Sequence, residues 1–322
     1  MNEFLRLLRR GLKPFGYDVR SRRTYTLRPL ANAEAYPGLI PVTNAFEREQ
    51  QPVATTDLGT LTVWVRTCLS AGRLARREQP FTGVSFAEHL YRCLYSTVLS
   101  INDAVAANPG FSVKVMVLDD RSAPHARANL ERLCRTLVCP WQIATTAEPG
   151  QGASLVEQFT RARSTAGLHY FIEDDYLHER GAVREMWAFY RQIYAATGSH
   201  LVLHPQETET LFHDAYYPSY LVLGASRRWR TMSHATHSLF VHGDMVDKYW
   251  SYFENTRHVG DPRQRRKGAE AQTTNRLFEH LPGFCPVPAV AVHLQAPATL
   301  PPFYDWRALW DATVLPSALI VD

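Results

Sequence analysis

The stretch "HYFIEDDYLH", His169–His178, sets an apolar run directly against three carboxylates, Glu173, Asp174 and Asp175. Like charges this close repel, and burial adds a desolvation cost. A hard divalent cation such as Mg²⁺ or Mn²⁺ offsets both by binding carboxylate oxygens. Its remaining positions then go to water and substrate phosphates. A similar pattern closes "VMVLDDRS", where Asp119 and Asp120 follow a β-branched run. A pair of acids after a strand is also a common solvated turn or helix cap, so neither cluster is specific alone.

The elements around these acids supply the context. "LTVWVRTCLS" reads as a strand by its Val, Trp and Thr content. Phe86, Leu90, Leu94, Val98, Ile101 and Val105 then repeat at helical spacing. Ser85 and Glu88 fit a capping box, and "NPG" at 108–110 fits the stop. "SVKVMVLDD", "WQIATT" and "LHYFI" read as strands, separated by the amphipathic helices "ARANLERLCRTL" and "LVEQFTRARSTA". This alternation predicts an α/β fold, a mostly parallel sheet with helices on both faces. In such sheets ligands bind beyond the carboxyl ends of the strands. Asp119–Asp120 and Glu173–Asp175 are therefore expected on one edge. "EPGQGAS" reads as a loop whose Gly150 and Gly152, ahead of a helix, let backbone N–H groups face phosphate.

The second half is less regular. "AVREMWAFYRQIYAA", "GDMVDKYWSYFE" and "AEAQTTNRLFEHL" read as helices, "LVLHPQ" and "YLVLGA" as strands. The Pro-rich tail from Pro286 is expected to wrap the surface irregularly. The chain divides into residues 1–60, a basic helix and linker, and 61–322, one domain with halves 61–175 and 176–322.

With 322 residues, 45% hydrophobic and 20% charged, the composition is that of a globular chain with ample core. No run approaches 18 consecutive apolar residues, so a spanning helix is not expected. Five cysteines with no CxxC pair read as reduced core residues of a cytoplasmic protein. Residues 1–30 carry eight basic side chains against Glu3 and Asp18, a net +6 that exceeds the whole chain's +4. Phe4, Leu8 and Leu12 repeat at helical spacing there. This segment reads either as an amphipathic helix on an anionic inner-membrane surface or as a helix docked on the domain with its arginines in water. Nucleic acid is not an expected partner, because no second basic, aromatic-rich stretch accompanies it.

In order and spacing, residues 61–175 resemble a GT-A (Rossmann-like) glycosyltransferase of the broad family-2-like kind. The residues that carry the resemblance are "VWVRTC", "VLDDRS", "GQGASLVEQFTRA" and "YFIEDD". The resemblance implies a nucleotide-sugar donor and Mn²⁺ or Mg²⁺ as cofactor. Asp119 would contact the nucleotide base, with Thr67 and Arg66 lining the same pocket. Gly152 would approach phosphate. Asp175 would be the main metal ligand and Glu173 its partner in a Glu-x-Asp variant, with Asp174 facing the sugar or capping the next element. His293, after the apolar "AVAV", would be a further metal ligand.

An inverting transferase needs a base near the acceptor hydroxyl. Glu270 in "KGAEAQTTN" is the leading candidate, with Asp244 and Asp261 behind it; the plain reading is an acid in a helix's first turn. His234 and His237 are expected to line the substrate pocket. "RRWR" and "RQRRK" either bracket phosphates or, by preference, form solvated faces. The expected activity is transfer of a sugar to a hydroxyl of a saccharide or lipid-linked acceptor, in surface polysaccharide or glycolipid synthesis. The alternatives are a sugar-phosphate nucleotidyltransferase and a non-catalytic nucleotide- or carbohydrate-binding relative.

Overall fold

The computed structural model describes residues 57–70, 82–207, 221–301 and 304–320. The expected N-terminal helix and nearly all of its linker lie outside the described residues.

The first half alternates as expected. Strand β1 (Leu61–Thr67) is followed by helix α1 (Phe86–Ala107), β2 (Val113–Asp119), α2 (Pro124–Cys134), β3 (Trp141–Thr145), α3 (Gln151–Arg163) and β4 (Leu168–Glu173). Then come β5 (Tyr176–His178), α4 (Ala182–Thr197), β6 (Val202–Leu203), β7 (Leu221–Leu223), β8 (Arg228–Met232) and β9 (Leu239–His242). Helices α5 (Gly243–Lys248), α6 (Trp250–Glu254) and α7 (Arg265–Gly268), strands β10 (Gly283–Val287) and β11 (Ala291–His293), and α8 (Trp306–Ala312) complete the order.

Nine strands form one sheet in the order β3-β2-β1-β4-β9-β6-β10-β8-β7, so both halves of the chain share it. The β3-β2-β1-β4 part is parallel throughout. Beyond β4, β9 runs antiparallel to both its neighbours and β8 to both of its own, while β6 and β10 are parallel. A separate two-stranded ribbon pairs β5 with β11.

The pleat explains why helices cover both faces. Leu61, Val63 and Val65 enter one core with residues of α1, α2 and α4; Trp64 enters the other with Leu155 and Phe159 of α3. Burying each such side chain stabilises the fold by about 1.5–3 kcal/mol. Ser85 caps α1 by accepting from Glu88 N at 3.2 Å, while the Glu88 carboxylate pairs with Arg92. None of the five cysteines forms a disulfide; Cys93 and Cys134 are buried on helix faces as expected.

Four expectations fail. The helix expected over 269–281 is a pair of 3₁₀ turns, Glu270–Gln272 and Thr274–Glu279, because Thr273 breaks them apart with φ −120° and ψ −120°. The helix expected from Gly243 is broken at Tyr249. The tail from Pro286 is not a surface wrap: Pro286 lies within β10, and Ala289–Val292 are fully buried. "RRWR" is a solvated face only at Arg228. It falls on β8 and its approach, where Arg227 donates to Glu179 and to the carbonyls of Pro288 and Ala289, and Arg230 lies 3.6 Å from Glu207. The "RQRRK" run is exposed at Arg263, Arg265, Arg266 and Lys267.

Helix α3 begins at Gln151, inside the expected glycine loop. Gly150 adopts φ +109°, and its N–H donates to Asp120 Oδ2 at 2.8 Å. Gly152 is a packing glycine. A Cβ there would lie 2.8 Å from the Val259 carbonyl oxygen and nearer still to that of Arg257. Gly152→Ala is therefore expected to destabilise the fold by about 2 kcal/mol or more, since both obstacles are backbone. A lowered urea midpoint at unchanged m-value would report it.

Candidate active site

In chain order, β1, β2 and β3 step one way across the sheet and β4 returns to β1's other side. That reversal opens a crevice at the carboxyl ends of β1 and β4. Register pairs Thr67 with Asp119 and Arg66 with Glu173, so the two acid clusters share one edge as expected.

The three acids leave β4 with different fates. Asp174 is 2% exposed; its Oδ2 accepts from Thr67 Oγ1 at 2.8 Å and from Cys68 N at 3.3 Å. It ties the end of β1 to the end of β4. Glu173, on the other side of the pleat, accepts from Arg66, whose second guanidinium nitrogen donates to Ser154 Oγ of α3 at 3.1 Å. Arg66, Thr67 and Asp174 are thus engaged within the protein, as supports of the crevice.

Asp175 meets His293 through the β5–β11 ribbon. Register pairs Tyr176 with His293, and Leu294 N donates to the Asp175 carbonyl at 2.9 Å. His293 Nε2 consequently lies 3.2 Å from Asp175 Oδ1. Neither ring nitrogen of the buried His293 makes a hydrogen bond among the described residues. Burial alone would lower this imidazole's pKa, but Asp175, then Glu173 and Glu270, outweigh it and the net direction is up. Ligand atoms of Glu173, Asp175 and His293 all lie within 4.8 Å of one another. Two carboxylates and the adjacent imidazole form a donor set that fits Mn²⁺, and Mg²⁺ less well because of the nitrogen.

Glu270 stands at the start of its 3₁₀ turn beside this cluster. Its side chain is 47% exposed. Surrounding protein bulk first, and the charge of Glu173 second, raise its carboxyl above the ordinary value, with His293 opposing. His237 Nδ1 lies 3.9 Å from Glu270 Oε1, and its Nε2 contacts Thr273 Oγ1 at 3.4 Å. Burial, then the charge of Arg66, push the His237 pKa down to about 3. The contact is therefore between a carboxylate and a neutral imidazole.

Other expected residues lie elsewhere or do other work. Asp119 is 1% exposed, and its carboxylate accepts from Ser122 and, at 3.0 Å, from Arg127. That carboxylate shapes the β2 corner from within, at odds with a direct base contact. His234 is half-buried in the β8–β9 loop and close enough to His204 to depress its pKa. Asp244 follows β9 at the opposite edge of the sheet, which removes it as a base for this site. The Asp261 carboxylate accepts from the backbone N–H of Arg263 at 2.8 Å.

Two contributors escaped the sequence reading. Tyr176 stacks on His293, with ring centroids 4.4 Å apart and planes 11° apart. Gln206 Oε1 accepts from His293 N at 2.7 Å. The only sequence signals were an aromatic directly after the acids and an amide closing "LVLHPQ".

No family model and no curated protein matches the chain. Solved structures similar to it include S. aureus TarS 1–349 in complex with UDP, 13% identical with TM-score 0.41, covering 70% of this chain and 60% of that one. Galactosyltransferase LgtC in complex with donor and acceptor sugar analogs is 10% identical with TM-score 0.42, covering 80% and 98%. UDP-glucose pyrophosphorylase complexed with UDP-glucose is 9% identical with TM-score 0.41, covering 79% and 97%. The chain spans 36% of the length of the longer TarS structure. Likeness at this level carries no argument about activity, which has to come from the site itself.

Proposed function

We propose that the protein is a metal-dependent, inverting glycosyltransferase that moves a sugar from a nucleotide-sugar donor to a hydroxyl of a saccharide or lipid-linked acceptor. The observation that carries this reading is the convergence of Glu173, Asp175 and His293 at a strand-end crevice, with Glu270 beside them. Glu173, Asp175 and His293 would hold Mn²⁺ or Mg²⁺, which when bound supplies positive charge against the donor's diphosphate. Arg66 holds the Glu173 carboxylate in place, and Tyr176 with Gln206 orient His293. Glu270 takes the proton as the acceptor oxygen bonds to the anomeric carbon and the carbon–diphosphate bond breaks. Neutral His237 hydrogen-bonds the acceptor or sugar, and the β8–β9 loop carrying His234 borders the same pocket. Asp119 positions the β2 corner for the nucleotide, and Gly152 lets the 257–259 segment pack over α3. The +6 charge of residues 1–30 favours an anionic membrane surface near a lipid-linked acceptor.

A panel of nucleotide-sugars with Mn²⁺, scored for release of nucleoside diphosphate, tests the reading. Release from at least one donor supports it. Pyrophosphate-dependent formation of nucleoside triphosphate would instead establish a nucleotidyltransferase, and binding without turnover of any donor a non-catalytic relative. Glu270→Gln is expected to lower turnover about 10²–10⁴-fold while leaving metal-dependent nucleotide binding intact. The wild-type acid limb should lie above the ordinary carboxylate range, because Glu270 must be ionised to accept the proton.

A further inference from the structure

A second group of potential ligands lies at the other end of the sheet. Register pairs Leu168, the first residue of β4, with His242, the last of β9. Glu173 ends β4, so the two groups are about 16 Å apart along the strand. Ligand atoms of His200, His242 and Asp244 lie within 4.8 Å of one another. The His200 and His242 rings stack, with centroids 4.4 Å and planes 23° apart. His200 Nδ1 is bonded to Tyr190 OH at 2.9 Å, and Tyr194 lies against the same ring at 4.7 Å. His200 Nε2 makes no hydrogen bond with the described residues. The hydroxyl thus holds one nitrogen and leaves Nε2 for another ligand, as for metal-bound imidazoles, although one of the stacked rings must turn for the two in-plane lone pairs to meet on one ion.

His242 Nδ1 lies 3.6 Å from Asp244 Oδ2. Two donors on a tetrahedral zinc, with bonds of about 2.1 Å, are roughly 3.4 Å apart. Besides the stack, one hydrogen bond must yield: the Asp244 N–H that now caps α5 through His242 Nδ1, at 3.2 Å. Losing one such cap is a small perturbation beside binding an ion through three ligands.

We propose that His200, His242 and Asp244 form a transition-metal site, selective for a borderline ion such as Zn²⁺ because two of its three donors are imidazoles. The metal would clamp the loop after α4 to the β9–α5 corner. It is separate from the crevice at the carboxyl ends, and the proposal does not depend on the transferase reading.

The test uses the full chain carrying Asp175→Ala, which disables the first cluster, titrated calorimetrically with Zn²⁺ alone. One equivalent of Zn²⁺ should bind and raise the melting temperature. Adding His200→Gln or Asp244→Asn should remove both effects, and Tyr190→Phe should weaken binding about tenfold. Asp244 is 73% exposed, so its isosteric replacement keeps the fold even where the histidine change does not. Absence of zinc binding in the Asp175→Ala chain, or binding unchanged by Asp244→Asn, overturns the proposal and leaves a stacked, helix-capping histidine pair.

Discussion

Asp175→Ala is expected to abolish Mn²⁺-dependent binding of nucleoside diphosphate and to lower any sugar transfer by about 10³-fold or more, roughly 4 kcal/mol of transition-state stabilisation. Asp175 and His293 share a 3.2 Å contact, so removing the carboxylate takes away both a ligand and the charge that holds the imidazole. The measurement is a thermal shift with Mn²⁺ and UDP or GDP, paired with turnover. Asp174→Ala is the matched control. Its carboxylate accepts from Thr67 and Cys68 and is buried. Its loss should cost about 1–3 kcal/mol of stability while leaving the metal response in place. An Asp175→Ala chain that keeps its full Mn²⁺ and nucleotide response would refute the assigned ligand set.

The second large effect is on acid stability. His169, His178 and His204 are 0–2% exposed. Burial is the leading cause that pushes His169 and His178 down to about 4 and His204 to about 3. Each is neutral when folded and protonates near 6.5 when unfolded. The unfolded state therefore binds protons first as pH falls, and stability is lost from about 6.5 down to each folded value. For His178 the gap of 2.5 units corresponds to about 3 kcal/mol. Three such residues rival the whole stability of a typical domain, about 5–15 kcal/mol. Cooperative unfolding is thus expected before pH 4. His178 is held by Tyr170 OH at 2.8 Å and Thr97 Oγ1 at 3.2 Å, which His178→Gln would partly replace. That variant should flatten the stability–pH slope between 6 and 4.5 by about 1.4 kcal/mol per unit, one proton's worth. An unchanged slope in denaturant titrations would show that His178 is not neutral in the fold.

Periodicity carried the first half of the fold. Phe86 to Val105 mark α1 because a helix buries every third or fourth residue, and "SVKVMVLDD" marks β2 because its β-branched residues suit a pleated, buried strand. It failed at 269–281, where local composition suits a helix but Gly268, pressed to 2.6 Å from Val259 N for any added Cβ, and Thr273 set a tighter path. It failed again at Pro286, since proline density suggests surface while β10 sits inside the sheet between β6 and β8.

The sequence by itself determined that acids close β2 and β4. How Asp174 is engaged was a tertiary matter: Thr67 and Cys68 reach its carboxylate only once β1 and β4 are adjacent, whereas Asp119 meets Ser122 within its own turn and Arg127 on the first turn of α2. The tertiary structure alone brought His293 to Asp175, through the pairing of β11 with β5, and Glu270 to both. Local pattern cannot encode such meetings, because they depend on where distant segments dock rather than on what any one segment prefers.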